Sequence, residues 1–369
     1  MSADLLSALW RAEHSPSLSL SQWALLLAQA RVSRLLPRLA FHLKDHGWLA
    51  DVPEAPRRHL EGAMKLAERE QLSVRWEIDR LRVALADLPG PVVLLKGAAY
   101  VATGLPPARG RQFGDVDILV PRAQLPNAEA SLLAAGWVPQ QLDPYDERYY
   151  RDWMHELPPF KHVWRHTWID VHHAITPPTS RYAVDSARLL AAAAPLAELP
   201  GFATLAPCDL VLHSAAHLLL DGELPHGLRD LLDLRDLLRH FDNERAFWPQ
   251  LTARAHELGL APLLGLALQQ VQRLFGLQPP AEAVLDLGLQ QPRGGGLMPA
   301  LLSAALLPHH PSCSDAKVRA ARQLLYVRAH ALRMPWPQAL PHLARKAWMR
   351  ASSRFSVAGG EKSHDATAA

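Results

Sequence analysis

Residues 111–120, RQFGDVDILV, place Asp115 and Asp117 inside a short apolar run that directly follows Gly114. An apolar run of this length after a glycine is typical of a β-strand. Successive side chains of a strand point to opposite faces, so the two aspartates share one face and the apolar residues after each of them share the other. We therefore expect the apolar face to pack on the core and both carboxylates to point together into a cleft.

Further strand patterns surround this run. PVVLL (91–95), FKHVW (160–164) and WIDVH (168–172) are short and rich in β-branched or aromatic residues, and helical stretches lie between the first three strands. This strand–helix–strand–helix–strand–strand order indicates a small mixed sheet of the α+β class.

Helical periodicity dominates on both sides of the sheet region. Residues 4–88 carry apolar residues near helical spacing, with Pro37 expected to kink or split one helix, and the period returns from about residue 206. The predicted organisation is a helical region over 1–88, an α/β core over 89–205, a helical domain over 206–354 and a disordered, small and polar tail over 355–369.

The overall composition excludes several classes of protein. Of 369 residues, 49% are apolar and 20% are charged, and the net charge of +3 is too small to indicate binding to nucleic acid or a membrane surface. Two distant cysteines do not make a disulfide framework, which favours a reducing cytoplasm. No apolar run reaches membrane-spanning length, so we expect no stable membrane insertion.

The paired aspartates indicate a metal site. Two carboxylates on one face repel each other unless a cation lies between them, and a hard divalent ion such as Mg²⁺ or Mn²⁺ prefers oxygen ligands. Such a site suits in-line displacement at phosphorus. The alternative, for this motif by itself, is a strand end with two solvated aspartates.

The neighbouring residues favour the site. Lys96 and Gly97 end the preceding strand and open a short helix, where glycine permits close approach of a ligand and the helix N-terminus attracts phosphate. Arg109 and Arg111 lie in the loop before the aspartates, and guanidinium groups suit phosphate oxygens. Asp170 adds a third acid on a third strand.

In this order, the lysine–glycine turn, the arginine loop, the G-D-V-D motif and the I-D-V-H strand resemble the nucleotidyltransferase superfamily with the polymerase-β-like fold, and in particular its uncharacterised bacterial branch. The resemblance is strong over residues 90–175 and weaker over 206–240. The chain departs from the broader superfamily at the turn, where Ala98 replaces the usual serine after the glycine.

The resemblance implies roles for eight residues. Asp115, Asp117 and Asp170 would bind Mg²⁺ or Mn²⁺, and Asp170 would also help to deprotonate the nucleophile. The nucleotide contacts that it implies are Lys96, Gly97, Arg109, Arg111 and Gly114.

The activity implied is metal-dependent transfer of a nucleotidyl group from an NTP to a small-molecule, protein or RNA acceptor, with release of pyrophosphate. Two alternatives stay open. One is a toxin-type nucleotidyltransferase that acts on RNA or protein. The other is a catalytically silent nucleotide-binding or scaffold protein of the same fold, which the missing turn serine favours.

Other polar residues have more than one interpretation. His213 and His217 lie four apart on a helix, where we favour a helix packed on the cleft over a zinc site. Asp230 and Asp233 either face the cleft or pair with arginines on a solvated face, and the sequence favours the solvated face. His172 either orients Asp170, binds phosphate or has a structural role.

Two further segments each have a functional and a structural interpretation. The aromatic segment containing Tyr145, Tyr149, Tyr150 and Trp153 either stacks a base or forms a core or lid, and the second is favoured. The basic C-terminal segment 338–355 is favoured as a docked terminal helix over a membrane-surface helix.

Overall fold

The computed structural model describes residues 5–289 and 296–360, and its N-terminal part is helical. Pro37 lies in the first turn of a helix, where its missing N–H leaves no hydrogen bond unmade, so the predicted helix is split in two rather than kinked. The four N-terminal helices are α1 (Leu5–Leu9), α2 (Leu20–Val32), α3 (Leu36–Asp45) and α4 (Glu54–Ala84).

One seven-stranded mixed sheet forms the centre of the described structure, with the strand order β3-β4-β5-β2-β1-β7-β6. The strands are β1 (Val92–Leu94), β2 (Asp115–Leu119), β3 (Trp137–Pro139), β4 (Phe160–His162), β5 (Trp168–His172), β6 (Ala194–Pro195) and β7 (Phe202–Thr204).

The fourth and middle strand of this order is β2. It runs antiparallel to β1 and parallel to β5, while β1 and β7 form a second parallel pair. The four strands predicted from sequence are present, and the α+β class is confirmed. The prediction lacked β3, β6 and β7, because these segments of two or three residues, unlike β1 and β4, do not lie within a longer strand-like run of the sequence.

Helices cover the sheet and extend beyond it. Those within the sheet region are α5 (Lys96–Thr103), α6 (Leu125–Ala134), α7 (Pro144–Arg148) and α8 (Ser186–Ala192). Those that follow are α9 (Pro207–Leu220), α10 (Gly227–Phe241), α11 (Phe247–Glu257), α12 (Ala261–Phe275), α13 (Ala281–Asp286), α14 (Leu297–Ala305), α15 (Ala316–Arg333) and α16 (Trp336–Gly360).

A single hydrophobic core connects the three regions. Its buried apolar residues extend from Leu6 in the N-terminal helices through the sheet to Leu325 in α15. The chain changes from helix to strand between Ala84 and Val92 and back to helix between Thr204 and Pro207. The predicted tail 355–369 overlaps the end of α16 as far as Gly360 and otherwise lies outside the described residues.

Two elements bring the C-terminal half of the chain to the sheet. Helix α9 packs against α5, and α10 packs both on α9 and on the 3₁₀ turn Pro106–Ala108 that precedes β2. The loop before β2 and the polar residues of α9 and α10 therefore face the same cleft.

Candidate functional site

The parallel pairing of β2 with β5 brings the predicted acids together. In its register, Asp117 lies directly opposite Asp170, and Asp115 lies opposite Trp168. Residues paired in this way project from the same face of a sheet. Three carboxylates thus occupy one face of two neighbouring strands; the sequence predicted the shared face for Asp115 and Asp117, and only the resemblance placed Asp170 with them.

Asp117 is the most deeply placed of these acids, with only 4% of its surface exposed. One of its oxygens, Oδ1, accepts hydrogen bonds from Lys96 Nζ at 2.9 Å and from His172 Nε2 at 3.0 Å. Burial alone raises the pKa of a carboxyl group, but the charge of Lys96 and the bond from His172 outweigh it and hold the pKa of Asp117 well below its usual range. Asp117 is therefore ionised and paired inside the protein.

His172 makes a bond that its spacing did not predict. Its ring contacts Asp117 on the neighbouring strand and not Asp170 on its own. Burial lowers the pKa of His172, but the bond to Asp117 and the charge of Glu156 raise it overall. The side chain therefore holds the buried aspartate in place.

The other two acids have the opposite electrostatic character. The charge of Asp117 and partial burial raise the pKa of Asp115, which stands at the exposed start of β2. Burial, followed by the charges of Asp117 and Glu156, raises the pKa of Asp170 to about 8. Both carboxyl groups are crowded by negative charge that the protein alone does not neutralise, which is an arrangement that a cation would stabilise.

Lys96 adopts an unusual backbone conformation at the start of α5. Its φ of 42° lies in the left-handed region, which costs energy for a residue with a Cβ atom. Its ammonium group reaches Asp117, and the charges of Asp117 and Asp115 raise its pKa even though burial opposes them. The strained turn thus places a fixed positive charge among the acids.

Gly97 is required here for packing. A Cβ atom at this position would lie 2.9 Å from Cδ1 of the Phe113 ring, closer than side chains tolerate. Phe113 comes from the loop just before the aspartates, so the absence of a side chain at Gly97 lets that loop lie directly on α5. The close approach that the sequence indicated is made, in this structure, by Phe113.

A cleft lined with cationic groups opens in front of Asp115 and Asp117. The lining includes Arg34, Lys96, Arg111 and Arg229, together with Gly114 at the entrance to β2. Its far side continues past Lys96 and Asp115 to a second hollow that Asp170 lines. The cleft therefore joins the acids to several positive charges.

Arg34 was not predicted, since it lies in the N-terminal helical region, between α2 and α3. Its guanidinium group approaches Gly114, where an added Cβ atom would lie 3.4 Å from Nη1. Within the part of the chain that the structure describes, no carboxylate comes within ion-pair distance of it. Its left-handed φ of 53° is the one local sign of a special position, and it is invisible in the sequence.

The two arginines predicted from the loop have different positions. Arg111 is buried at the cleft, where its Nε donates to Asp233 Oδ2 at 3.1 Å and its guanidinium lies near the Tyr100 and Phe113 rings. Arg109 points elsewhere, forms two 2.7 Å bonds with Asp45 and stacks on Phe41 in a separate hollow. The structure does not bring Arg109 to the aspartates.

Helix α10 corrects one prediction. Asp233 is 2% exposed and pairs with Arg38 and Arg111, so it does not lie on a solvated face. Asp230 also lines the cleft, where the charge of Arg229 overcomes the effect of burial and lowers its pKa to about 2. The sequence could not distinguish these positions, because Arg38 and Arg111 come from distant parts of the chain.

Helix α9 packs on the cleft as expected. His217 lines it, and burial lowers the pKa of His217 to about 3, so its imidazole is neutral. His213 is buried, and burial holds its pKa well below the usual range. Among the described residues, these two histidines do not belong to a group of ligands close enough to hold a metal.

One such group does occur in residues 5–289 and 296–360. His155, Glu156 and His172 each offer a ligand atom, and all three atoms lie within 4.8 Å of one another. As their side chains are placed, the three aspartates do not form a group of this kind. Sequence reasoning missed His155 and Glu156, because they follow the single-turn π-helix Tyr149–Trp153 and lie outside any strand.

The aromatic segment packs against the C-terminal helix. The ring of Tyr149 stacks on His342 of α16 with centroids 4.5 Å apart, and Tyr145 lies 6.1 Å from the same ring. Arg345 lies over Tyr145 and bonds to Asp143 at 2.6 Å. The first part of α16 is therefore a docked helix, and the rings of Tyr145 and Tyr149 pack against it.

Comparison with known proteins identifies a family. The model of a family described as "uncharacterised nucleotidyltransferase" matches residues 19–276, which is well over half of the chain. No curated protein and no solved structure matches the chain. Among the described helices, none has the length and apolar character needed to cross a membrane.

Proposed function

Since the chain belongs to the uncharacterised nucleotidyltransferase family, we propose that it transfers a nucleotidyl group from an NTP to an acceptor and releases pyrophosphate. The observation that carries this proposal is the register of β2 and β5, which sets Asp117 beside Asp170 with Asp115 on the same face. These acids face a cleft lined with cationic groups. Acids that hold metal beside cations that hold phosphate are what phosphoryl chemistry needs.

Mg²⁺ or Mn²⁺ fits the donor set. Asp115, Asp117 and Asp170 offer carboxylate oxygens, and mutual repulsion contributes to the raised pKa of two of them. A bound ion would stabilise negative charge on the phosphate oxygens. Lys96 already neutralises part of the charge of Asp117 and so sets how strongly these acids attract a cation.

Four side chains would receive the triphosphate. Lys96, Arg111 and Arg229 line the cleft but each already contacts an aspartate. Arg34 lies beside Gly114 without such a partner, so its guanidinium is available for two parallel bonds to phosphate oxygens. We assign it the role that the sequence had given to Arg109.

Asp170 is suited to accept the proton of the nucleophile. Burial and the neighbouring acids raise its pKa in the absence of an ion, and a bound cation would lower it, so the ionised carboxylate that accepts a proton would form when the metal binds. The acceptor oxygen forms a bond to the α-phosphorus while the bond from that phosphorus to the bridging oxygen breaks, and pyrophosphate leaves with the electron pair. The proton released by the acceptor passes to the Asp170 carboxylate.

One alternative has a specific observation in its favour. Lys96 and His172 together satisfy Asp117 without any ion, and Phe113 covers Gly97 at a turn that lacks serine. These features also suit a catalytically silent protein of the same fold that binds nucleotide without transferring it.

The two functions separate in a transfer assay. The purified chain receives Mn²⁺, cell extract as a source of acceptors and each α-labelled NTP in turn, and both pyrophosphate and labelled product are measured. We expect release of pyrophosphate with at least one NTP, loss of release in Asp117→Asn and no loss in Asp87→Asn, an exposed acid outside the cleft. Absence of release and of labelled product with every NTP would refute the transferase function.

A further inference from the structure

A second group of polar side chains lies beside the acids, and one of its members, His172, also bonds to Asp117. His155 and Glu156 line the hollow in which Asp170 stands, and His172 lies behind them, with 2% of its side chain exposed. The three ligand atoms of this group lie within 4.8 Å of one another.

The backbone fixes the group. The His173 N–H donates to the His155 carbonyl at 2.8 Å, the Leu157 N–H donates to Val171 at 2.9 Å, and Glu156 pairs with His172 in an antiparallel bridge. A segment that belongs to no strand is thus held against the end of β5. The backbone bonds to β5 therefore fix the positions of His155 and Glu156 relative to His172.

The imidazole nitrogens are prepared to accept an ion. The Nδ1 atoms of His155 and His172 are both buried without a hydrogen-bond partner in the described structure. On His172 the other nitrogen, Nε2, donates to Asp117, so Nδ1 is the nitrogen that faces Glu156 and that would bind an ion in place of its proton. A carboxylate that fixes a histidine ring in this way is the usual support of a metal-binding histidine.

The spacing agrees with coordination. His172 Nδ1 and a Glu156 oxygen lie 3.2 Å apart. Two ligands at about 2.1 Å from one ion, with an angle of about 100° between them, are separated by about this distance. A buried nitrogen and a carboxylate at this separation, without hydrogen-bond geometry, otherwise leave a polar atom unsatisfied.

We propose that His155, Glu156 and His172 form a binding site for a divalent transition-metal ion of the zinc type, distinct from the site of the three aspartates. Two imidazoles and one carboxylate suit Zn²⁺ and its neighbours in the first transition row, whereas Mg²⁺ prefers oxygen ligands alone. Three protein ligands leave a coordination position of the ion open. Two of these ligands, His155 and Glu156, line the hollow that Asp170 also lines. The ion would also join the 155–157 segment to β5.

Cobalt is the probe for this site, because Co²⁺ replaces Zn²⁺ and its visible absorption reports nitrogen ligands. The full chain is stripped with a chelator and titrated with Co²⁺ in the absence of nucleotide and in excess Mg²⁺. We expect one Co²⁺ per chain with that absorption, displaced by Zn²⁺ and not by Mg²⁺. Glu156→Gln and His155→Ala should each weaken binding at least about tenfold.

Two controls make the result specific. His256→Ala removes an exposed histidine that is far in sequence from the three proposed ligands. This variant should bind Co²⁺ like the wild type. Asp115→Asn tests the proposed transferase site and should also leave Co²⁺ binding intact, so the failure of either proposal can be recognised separately. Circular dichroism confirms that each variant is folded, and Glu156→Gln keeps the side-chain volume if His155→Ala does not fold.

Co²⁺ binding that persists unchanged in both ligand variants would overturn the proposal. So would equal displacement by Mg²⁺, or no binding at all by the wild type.

Discussion

Asp117 and Asp170 stand side by side on neighbouring parallel strands, and only Asp117 has its charge neutralised by hydrogen bonds from Lys96 and His172. The two acids therefore differ in their pKa. Asp117 is ionised, while burial and neighbouring charge raise the pKa of Asp170 to about 8. An ionised ligand beside a group that can take a proton near neutral pH is consistent with the proposed reaction.

Replacing Asp170 should change the pH dependence of stability. Because the folded-state pKa of this acid is raised, the protonated form is favoured on folding, and wild-type stability falls as pH rises from 3.8 to about 8. Asp170→Asn cannot ionise, so its free energy of unfolding should rise relative to wild type across that range. Urea unfolding at several pH values measures the difference, and a constant difference would contradict the assignment.

Asp117→Asn should show the opposite trend. The folded-state pKa of Asp117 lies well below 3.8, so this acid contributes stability above that pH and loses the contribution as pH falls. The wild type should therefore gain stability over the variant as pH rises through 3.8. The same urea experiment supplies the measurement, and a gain of the variant over wild type in that range would refute the pairing with Lys96 and His172.

Arg34 and Arg109 give a matched test of the triphosphate site. Arg34→Ala removes an unpaired guanidinium beside Gly114 and should weaken NTP binding by about tenfold or more, the value of one or two bonds to a charged group. Arg109→Ala breaks a bond to Asp45 in a separate hollow and should leave the affinity unchanged. Titration of each variant with NTP and Mn²⁺ measures both, and the reverse order would restore the assignment made from sequence.

Two glycines should respond oppositely to alanine. In Gly97→Ala the new methyl meets Phe113 at 2.9 Å, so we expect a loss of about 1–3 kcal/mol in the free energy of unfolding. In Gly62→Ala, within α4, nothing lies within 4 Å, so the higher helix propensity of alanine should add about 0.5–1 kcal/mol. Chemical unfolding measures both, and stabilisation by both would show that Phe113 does not lie on Gly97.

Asp233 should be important for stability as well as for the shape of the cleft. It contacts Arg38 and Arg111. Asp233→Ala would leave the guanidinium group of Arg111 buried without a carboxylate partner, at a cost of about 3–5 kcal/mol, whereas Arg38 would keep its pair with Asp236. The exposed Asp79, which pairs with Arg80 and Arg82, should show little change in the corresponding alanine variant. Equal effects of the two substitutions on thermal unfolding would show that the Asp233 cluster is not buried.

The sequence predicted the features that depend on local pattern. The alternation in DVDILV placed Asp115 and Asp117 on one face of a strand and that in WIDVH placed Asp170 on one face of another, and the register of β2 and β5 brings the three together. Helical periods and Pro37 likewise predicted helices on both sides of the core. Side-chain direction in a strand or helix follows from its period, so these conclusions need no knowledge of the tertiary structure.

What depends on distant contacts was missed. Arg34 reaches the cleft because the N-terminal helices pack beside β2, and no local pattern distinguishes it from other arginines of that region. Arg109 and Arg111 are two apart in one loop, and only the folded chain shows that they point to different hollows. His155 and Glu156 belong to an irregular segment whose backbone pairs with β5.

In the proposed function, Asp115 and Asp117 hold the metal that binds the nucleotide. Isothermal calorimetry with each NTP, in the presence and absence of Mn²⁺, tests it on the wild type and on Asp115→Asn and Asp117→Asn. We predict that at least one NTP binds the wild type only when Mn²⁺ is present, and that both substitutions abolish this binding. Binding of that NTP without Mn²⁺, or undiminished binding by either variant, would contradict the claim.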